Sequence, residues 1–251
     1  MQQAKVMVTD SNGKTLDDAN YTVIYSDGCK NVGTYTVTVT FKGNYTGTVT
    51  KQFTITKAGN TISASSVNKT VSAKAQSFSI GAKVKGGAKL TYKSNNKSIV
   101  VDKKGKVTIA KNYVGKATIT ISAAATTNYN AAVKQITVTA NPTGTKLTSA
   151  VSKKPGQMTV KWAKNTAVTG YEVQYATSSK FTSAKTVKVK SNKTVTSTVS
   201  KLKAGQKYYV RIRTYKTVSK ANYYSAWSAA KSVTVKGTAA PAAVKLSSVK
   251  N

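Results

Sequence analysis

The stretch YYVRIRTY, from Tyr208 to Tyr215, holds both arginines of the chain, Arg211 and Arg213. The chain has 40 basic residues, and all except these two are lysines. A planar guanidinium binds a carboxylate through two parallel hydrogen bonds and stacks on aromatic rings, which an ammonium does poorly. The stretch therefore indicates either an internal stack of arginine on aromatic side chains or an aromatic surface that binds a ligand.

Strand periodicity places both arginines on one face, because side chains of a strand point alternately to its two sides. If Tyr208, Val210 and Ile212 face the core, the residues between them face outward, and Glu172 alternates outward in the same way in YEVQY. We favour the internal stack, because exposed contacts of this kind contribute only about 1 kcal/mol and are common. The alternative is a binding face formed by Tyr209, Arg211, Arg213, Tyr215, Trp227, Lys188 and Lys190.

Oxygen-bearing side chains cluster in TDSNGKTLDD, where Asp10, Asn12, Asp17 and Asp18 could ligate calcium. The stretch lacks the length and the glutamate of an EF-hand loop. DSNG is also a strong hairpin-turn sequence. We therefore predict a turn and assign no metal site.

Few residues could act as catalytic groups, because the chain has one cysteine, Cys29, and no histidine. A disulfide within the chain is excluded, and zinc and Cys–His chemistry lack their usual ligands and bases. Cys29 lies in the turn-like stretch SDGCKN, and we interpret it as an incidental thiol rather than a nucleophile. A Lys–Asn isopeptide bond would need a buried acid to carry the proton. Glu172 is predicted to face outward and Asp102 to lie in a turn. We predict no catalytic residue, no cofactor and no metal, so the chain is not expected to be an enzyme.

The formal net charge is +34, from 40 basic and 6 acidic residues. Residues 1–57 carry +2, residues 58–140 carry +12 and residues 141–236 carry +18. Such an excess attracts anionic partners in a salt-dependent way, although lysines also serve solubility. Sequence-specific nucleic-acid binding is not predicted, because no groove-reading helix or recognised aromatic platform is present.

Strict alternation of apolar and polar residues is the commonest pattern in the chain. In YTVTVTF, Tyr35, Val37, Val39 and Phe41 point one way and the threonines between them the other. The pattern recurs in KATITIS, MTVKW, YEVQY, TVKVK, YYVRIR and SVTV. Short strands rich in valine and threonine, separated by Gly/Asn/Asp/Ser turns, predict an all-β chain of tandem antiparallel sandwiches. No membrane-spanning run or signal peptide is expected.

Three breaks divide the chain: KAGN after Lys57, TANPTGT at 139–145, and KGTAAPAA at 236–243. The final VKLSSVKN echoes TKLTSAVSKK at 145–154, which indicates an internal repeat. We predict a first domain at 1–57 that lacks its first strands, a second at 58–140 and a third at 141–236. Residues 237–251 are predicted to be a linker and the start of a further, truncated repeat. We expect an elongated, monomeric array.

Family resemblance adds to these patterns. Residues 144–236 resemble a fibronectin type III domain through Trp162, GYEVQY, LKAGQKYYVRI and SAWS. Residues 58–140 resemble bacterial Ig-like (Big) domains through LTYKSNNKSIVVDKKGKVTI and VGKATITI, and residues 8–57 another Ig-like repeat of Gram-positive surface proteins. The fibronectin resemblance implies that the Glu172 strand neighbours the arginine strand, with a stacked ladder like that of domains with a WS-type motif.

These families imply an extracellular, non-catalytic role, either on a bacterial cell surface or in a secreted protein. We expect a spacer and adhesive region whose basic domains bind anionic cell-wall polymers, host glycans or glycoproteins, without membrane insertion. One alternative is an accessory region of a secreted carbohydrate-active or proteolytic enzyme. Another is a specific binder of a host protein such as an immunoglobulin, through a sandwich edge or loop face.

Overall fold

The computed structural model of the chain describes residues 5–238 and is all-β, as the sequence predicts. We call residues 5–57, 58–140 and 141–238 the first, second and third units. The predicted further repeat falls at 239–251 and so lies outside the described residues. A search of residues 5–238 finds no apolar helix of the length that a membrane span requires.

The first unit is a three-stranded antiparallel meander. A 3-10 turn at Asp18–Asn20 precedes β1 (Tyr21–Tyr25), β2 (Gly33–Phe41) and β3 (Thr48–Ile55), in the order β1-β2-β3. Its small core contains the buried residues Leu16, Tyr21 and Val39. Three sandwiches were predicted, but the described part of this unit forms one sheet, because its residues supply only three strands.

The second unit is a sandwich of two main sheets. Its strands are β4 (Ile62–Ser63), β5 (Val67–Thr70), β6 (Gln76–Ser79), β7 (Lys83–Val84), β8 (Leu90–Ser94), β9 (Ile99–Val101), β10 (Lys106–Ile109), β11 (Gly115–Ala123) and β12 (Ala132–Asn141). One sheet has the order β6-β10-β9, the other β5-β12-β11-β8 with β5 parallel to β12, and β4 pairs with β7. The alternation in KATITIS is confirmed, since Ala117, Ile119 and Ile121 are all buried between the sheets. Strand β12 continues to Asn141, one residue past the predicted boundary.

The third unit is a second sandwich. Its strands are β13 (Leu147–Val151), β14 (Met158–Trp162), β15 (Gly170–Ala176), β16 (Lys185–Val189), β17 (Thr196–Val199), β18 (Lys207–Val218), β19 (Ala221–Tyr224) and β20 (Lys231–Thr234). One sheet has the order β13-β14-β17, and the other runs β16-β15-β18, with β19 and β20 both pairing with β18. Trp162 and Tyr171 pack in the core with ring centroids 5.3 Å apart. The predicted binding face lies on this sheet, with Trp227 in the segment between β19 and β20 and Lys190 just after β16.

Hydrogen bonds join the first and second units at their junction. The side chain of Asn128 accepts from the backbone N–H of Val32 at 2.9 Å and donates to Oδ1 of Asn31 at 2.8 Å. Beside it, Ala58 forms a parallel bridge with Tyr129. The linker after β3 is therefore constrained by hydrogen bonds.

Candidate binding face

The outer face of the β16-β15-β18 sheet contains a carboxylate–guanidinium pair. Strand β15 lies between β16 and β18, and the register places Glu172 opposite both Lys188 and Arg213. Oε2 of Glu172 accepts from Nε of Arg213 at 2.8 Å and from Nη2 at 2.6 Å. Two residues further along β15, Oε1 of Gln174 accepts from Nε of Arg211 at 2.8 Å. Both arginines are thus held by side chains of the neighbouring strand.

Aromatic rings alternate with the two guanidinium groups above this sheet. The guanidinium carbon of Arg211 lies 4.0 Å from the ring centroid of Phe181 and 4.7 Å from that of Trp227. That of Arg213 lies 4.4 Å from Trp227 and 4.0 Å from Tyr224. Because a cation is attracted to the face of an aromatic ring, each contact adds about 0.5–1 kcal/mol at a partly exposed site. We call Phe181, Arg211, Trp227, Arg213 and Tyr224 the ladder.

The ladder continues onto Tyr215, which is buried although its alternation points it outward. The Tyr215 ring lies 6.1 Å from Tyr224, and Nζ of Lys188 lies 4.5 Å above it. Tyr215 is only 3% exposed and so offers almost no surface to a ligand. Gly170 stands opposite it, and a Cβ there would lie 2.9 Å from the Tyr215 hydroxyl. The absence of a side chain at Gly170 is what makes room for this ring.

Two serines of the SAWS stretch shape the segment that delivers Trp227. Between β19 and β20, Oγ of Ser225 accepts from the N–H of Thr214 at 3.0 Å, and Oγ of Ser228 from the N–H of Ile212 at 3.1 Å. These hydroxyls replace the carbonyls that a regular strand would present to β18. The chain can therefore bulge here without leaving the β18 donors unpaired, and Trp227 reaches over the arginines.

Burial alters the electrostatics of the ladder. Burial, and secondly the charge of Arg213, lowers the pKa of Arg211 from its ordinary value. Arginine nevertheless stays charged at any physiological pH, because its ordinary pKa lies far above that range. Two like charges persist side by side because Glu172 neutralises Arg213 and the three rings stabilise both.

The predicted stack is therefore present. Arg211, Arg213, Trp227 and Tyr215 of the predicted binding face are engaged in its internal contacts. Tyr209 lies below Nζ of Lys207 at 5.5 Å, and Lys190 is exposed just after β16. Binding of a ligand to this face stays a prediction. Phe181, Tyr224 and Gln174 were not singled out from the sequence. Only Gln174 carried a signal, since it alternates outward two residues after Glu172.

The other sequence candidates have local structural roles. Asp10 accepts from the N–H groups of Asn12 and Lys14, both at 2.9 Å, which confirms the DSNG turn. Asp17 caps the 3-10 turn, and Asp18 accepts from the hydroxyl of Tyr21. Asp102 lies in a turn as predicted, and Sγ of Cys29 donates to the carbonyl of Ser26 at 2.8 Å. Within residues 5–238, no group of three or more His, Cys, Asp or Glu could hold a metal ion.

Comparison with protein families agrees with this geometry. The fibronectin type III domain model matches residues 140–231, and the bacterial Ig-like domain (group 3) model matches residues 1–57. The chain thus combines a bacterial Ig-like domain with a fibronectin type III domain. Neither match extends over residues 58–139, whose sandwich rests on its own strand pairing. Domains of both kinds are typical of extracellular, non-catalytic arrays.

The similarity to solved structures is weaker than the match to the family models. Domains A168–A170 of titin are 13% identical with a TM-score of 0.33, and the similarity covers 88% of this chain and 85% of that one. The chicken CNTN1 FN1–FN3 domains are 13% identical with a TM-score of 0.34, covering 80% and 78% respectively. A search of curated proteins finds no match. At these scores the solved structures carry no further argument about this chain.

Proposed function

We propose that the chain is a non-catalytic spacer and adhesive region of a bacterial cell-surface or secreted protein. Its second and third units bind anionic polymers, either of the cell wall or of host glycans. One observation carries the proposal: the third unit has 17 lysines and 2 arginines against a single acid, Glu172. That acid is paired with Arg213, so it cannot neutralise the lysines.

The position of the lysines supports the same role. Strands bury their apolar residues between the sheets, and lysines such as Lys161, Lys188 and Lys190 are exposed outside them. Like charges on one small domain repel each other, which opposes folding unless counterions or a polyanion neutralise them. A polyanion that bridges many lysines at once relieves this repulsion. The expected binding is multivalent, tolerant of the exact polymer and weakened by salt.

The spacer part rests on the junction between the first and second units. The side chain of Asn128 in the second unit is hydrogen-bonded to Val32 and Asn31 of the first unit, and Ala58, where the second unit begins, is held by its bridge to Tyr129. A linker fixed in this way limits the orientations that the two units can adopt, unlike a flexible glycine–serine linker. A bacterial surface array needs such limits to hold its binding units away from the cell.

Charge-removal variants test the adhesive role. Replacing Lys153, Lys161, Lys190 and Lys193 of the third unit by glutamine should lower the fraction bound to immobilised polyglycerol phosphate or heparin several-fold. The matched control replaces Lys14, Lys30, Lys42 and Lys51 of the first unit, which removes the same charge from a nearly neutral unit and should have a much smaller effect. Binding should vanish at about 1 M salt, where charges more than about 3 Å apart are screened. Equal losses from both variants, or attachment unchanged by salt, would contradict the proposal.

A further inference from the structure

A cavity of about 410 Å³ opens at one end of the third unit. It lies where β15 ends at Ala176 and β16 begins at Lys185, facing the segment between β17 and β18 that contains Lys201 and Leu202. Sites for small molecules commonly have volumes of about 300–1,000 Å³. The cavity is separate from the ladder, which covers the outer face of the same sheet. It can hold a single sugar residue of a longer chain.

Two tyrosines form the aromatic wall of this cavity. The rings of Tyr175 and Tyr208 have centroids 6.3 Å apart and are inclined at 55°. Both side chains alternate inward, but at this end of the unit each tyrosine is only partly buried. An aromatic ring presents a flat apolar face with a partial negative charge. Such a face suits the C–H surface of a pyranose ring.

Cations and hydroxyl groups line the remainder. The cations are Lys185 and Lys201, and the hydroxyls belong to Thr177, Ser183 and Ser200. Glu172, the single acid of this unit, is engaged by Arg213 and does not compete for these lysines. Hydroxyl groups both donate and accept hydrogen bonds, whereas an ammonium only donates. The lining therefore fits a ligand that carries several hydroxyls and one anionic acceptor.

The backbone around the cavity is held in an uncommon conformation. Ser183 has a φ of 51° and Lys201 a φ of 59°, and Phe181 in the same loop as Ser183 has a φ of 58°. Residues other than glycine seldom adopt this left-handed region, and they persist there only when the surroundings impose it. Phe181 is fixed by its stack on Arg211. The ladder thus anchors the loop that forms one wall, so the cavity exists before a ligand arrives.

We propose that this cavity binds one carboxylate-bearing sugar residue of an anionic polysaccharide. The inference rests on the proposed function and gives it a specific component: the lysine-rich surface attracts the polymer, and the cavity selects the sugar. The tyrosine wall and the three hydroxyls favour a sugar acid over a simple phosphate. A phosphate group would use the lysines but leave the aromatic wall without a role.

The experiment is a calorimetric titration of the full chain with a glucuronate-containing hyaluronan tetrasaccharide. It is carried out at about 0.5 M salt, where non-specific attraction is strongly screened. The expected result is saturable binding with one site per chain. Maltotetraose, which is neutral, and oligoglycerol phosphate, which is anionic without a sugar acid, should bind at least about tenfold more weakly, a difference of about 1.4 kcal/mol. Equal binding of either compound would overturn the assignment of a sugar acid.

Two variants locate the binding site. Lys201→Gly removes one lining cation and introduces a residue that tolerates the left-handed φ at this position. Lys185→Gln removes the second lining cation. Each should weaken binding about tenfold, the effect of losing one hydrogen bond to a charged group. The matched control is Lys220→Gly, because Lys220 is also exposed with a φ of 66° but lies between β18 and β19, outside the cavity lining. It should leave the affinity within about twofold.

The outcomes separate this inference from the proposed function. If the tetrasaccharide fails to bind at high salt while the chain still attaches to polyanions at low salt, the cavity proposal is wrong and the adhesive role stands. If the chain fails to attach to polyanions at low salt, the adhesive role is wrong. If Lys220→Gly weakens binding as much as Lys201→Gly does, the attraction is delocalised charge and the cavity proposal is wrong.

Discussion

The carboxylate of Glu172 and the guanidinium of Arg213 form a doubly hydrogen-bonded pair on the outer face of a sheet, yet the pair is largely shielded from water. The Glu172 side chain is 10% exposed and that of Arg213 is 27% exposed. Trp227 and Tyr224 cover the guanidinium, and Lys188 lies opposite Glu172 on the next strand. Shielding strengthens the attraction between the charges but raises the cost of separating them.

Glu172→Gln should therefore destabilise the third unit by about 1–3 kcal/mol, because Arg213 keeps its charge without a carboxylate partner. Urea unfolding followed by tryptophan fluorescence measures the change, since Trp162 and Trp227 both lie in this unit. Lys190→Gln is the control, as it removes an exposed charge that lies just after β16 and outside the ladder. A Glu172→Gln protein as stable as wild type would show that the pair contributes nothing net.

Arg211→Lys should destabilise the ladder although it preserves the charge. The ammonium loses the planar stack between Phe181 and Trp227 and the directed hydrogen bond to Gln174. We expect a loss of about 1–2 kcal/mol and faster amide hydrogen exchange in residues 177–184. Lys216→Arg, on the same strand but outside the ladder, should change neither quantity. Unchanged exchange in the loop would show that Phe181 is held by other contacts.

Gly170→Ala adds only one methyl group, but it should destabilise the outer face of the sheet. A Cβ at Gly170 would lie 2.1 Å from the carbonyl oxygen of Val189 and 2.9 Å from the hydroxyl of Tyr215. The backbone oxygen cannot yield easily, so β15 and β16 must separate, at a cost of about 1–3 kcal/mol. Gly59→Ala is the control, because a Cβ there has no atom within 4 Å. Equal thermal midpoints for the two variants would contradict this packing.

The sequence predicts the strands of this chain better than it predicts the side-chain contacts between neighbouring strands. Alternation in YYVRIR and YEVQY assigns inward and outward positions correctly, because the two-residue period follows from strand geometry alone. It could not show that Tyr215 is buried on the outer face. That burial depends on Tyr224, Lys188 and Gly170, which come from three other strands and are brought together only by the register.

Loop features were the least predictable part of the candidate sites. Phe181 lies in the segment between β15 and β16, where no periodicity applies, and its left-handed φ has no sequence signal as clear as a glycine. The cavity beside it is lined by strand ends and by loop residues from two separate segments, which no periodicity brings together. By contrast, the turn at Asp10 was predictable because Asp, Asn and Gly each favour it for a local reason.

Stability should depend on pH through Asp102. The N–H groups of Lys106 and Lys104 donate to its carboxylate, at 2.9 and 2.8 Å, and lower the pKa of Asp102. A carboxyl whose pKa is lower in the folded state stabilises the fold above its unfolded pKa of about 3.9. This stabilisation is lost as the pH falls through the folded pKa. Asp102→Asn should therefore be less stable than wild type at neutral pH and equally stable in strong acid. A difference that stays constant from neutral to acid pH would contradict this account.

The junction between the first and second units should loosen in Asn128→Ala. The variant removes the acceptor for the N–H of Val32 and the donor to Asn31, and so two side-chain hydrogen bonds that connect the units. Because the strand pairing within each unit and the Ala58–Tyr129 bridge of the second unit are retained, each unit should still fold. Small-angle X-ray scattering should show a broader distribution of intramolecular distances, with little change in the thermal unfolding of the second unit. Asn68→Ala, at an exposed position on β5, is the matched control and should leave the distribution unchanged. If Asn128→Ala behaves like this control, the two hydrogen bonds of Asn128 do not restrict the junction, and the spacer role does not depend on Asn128.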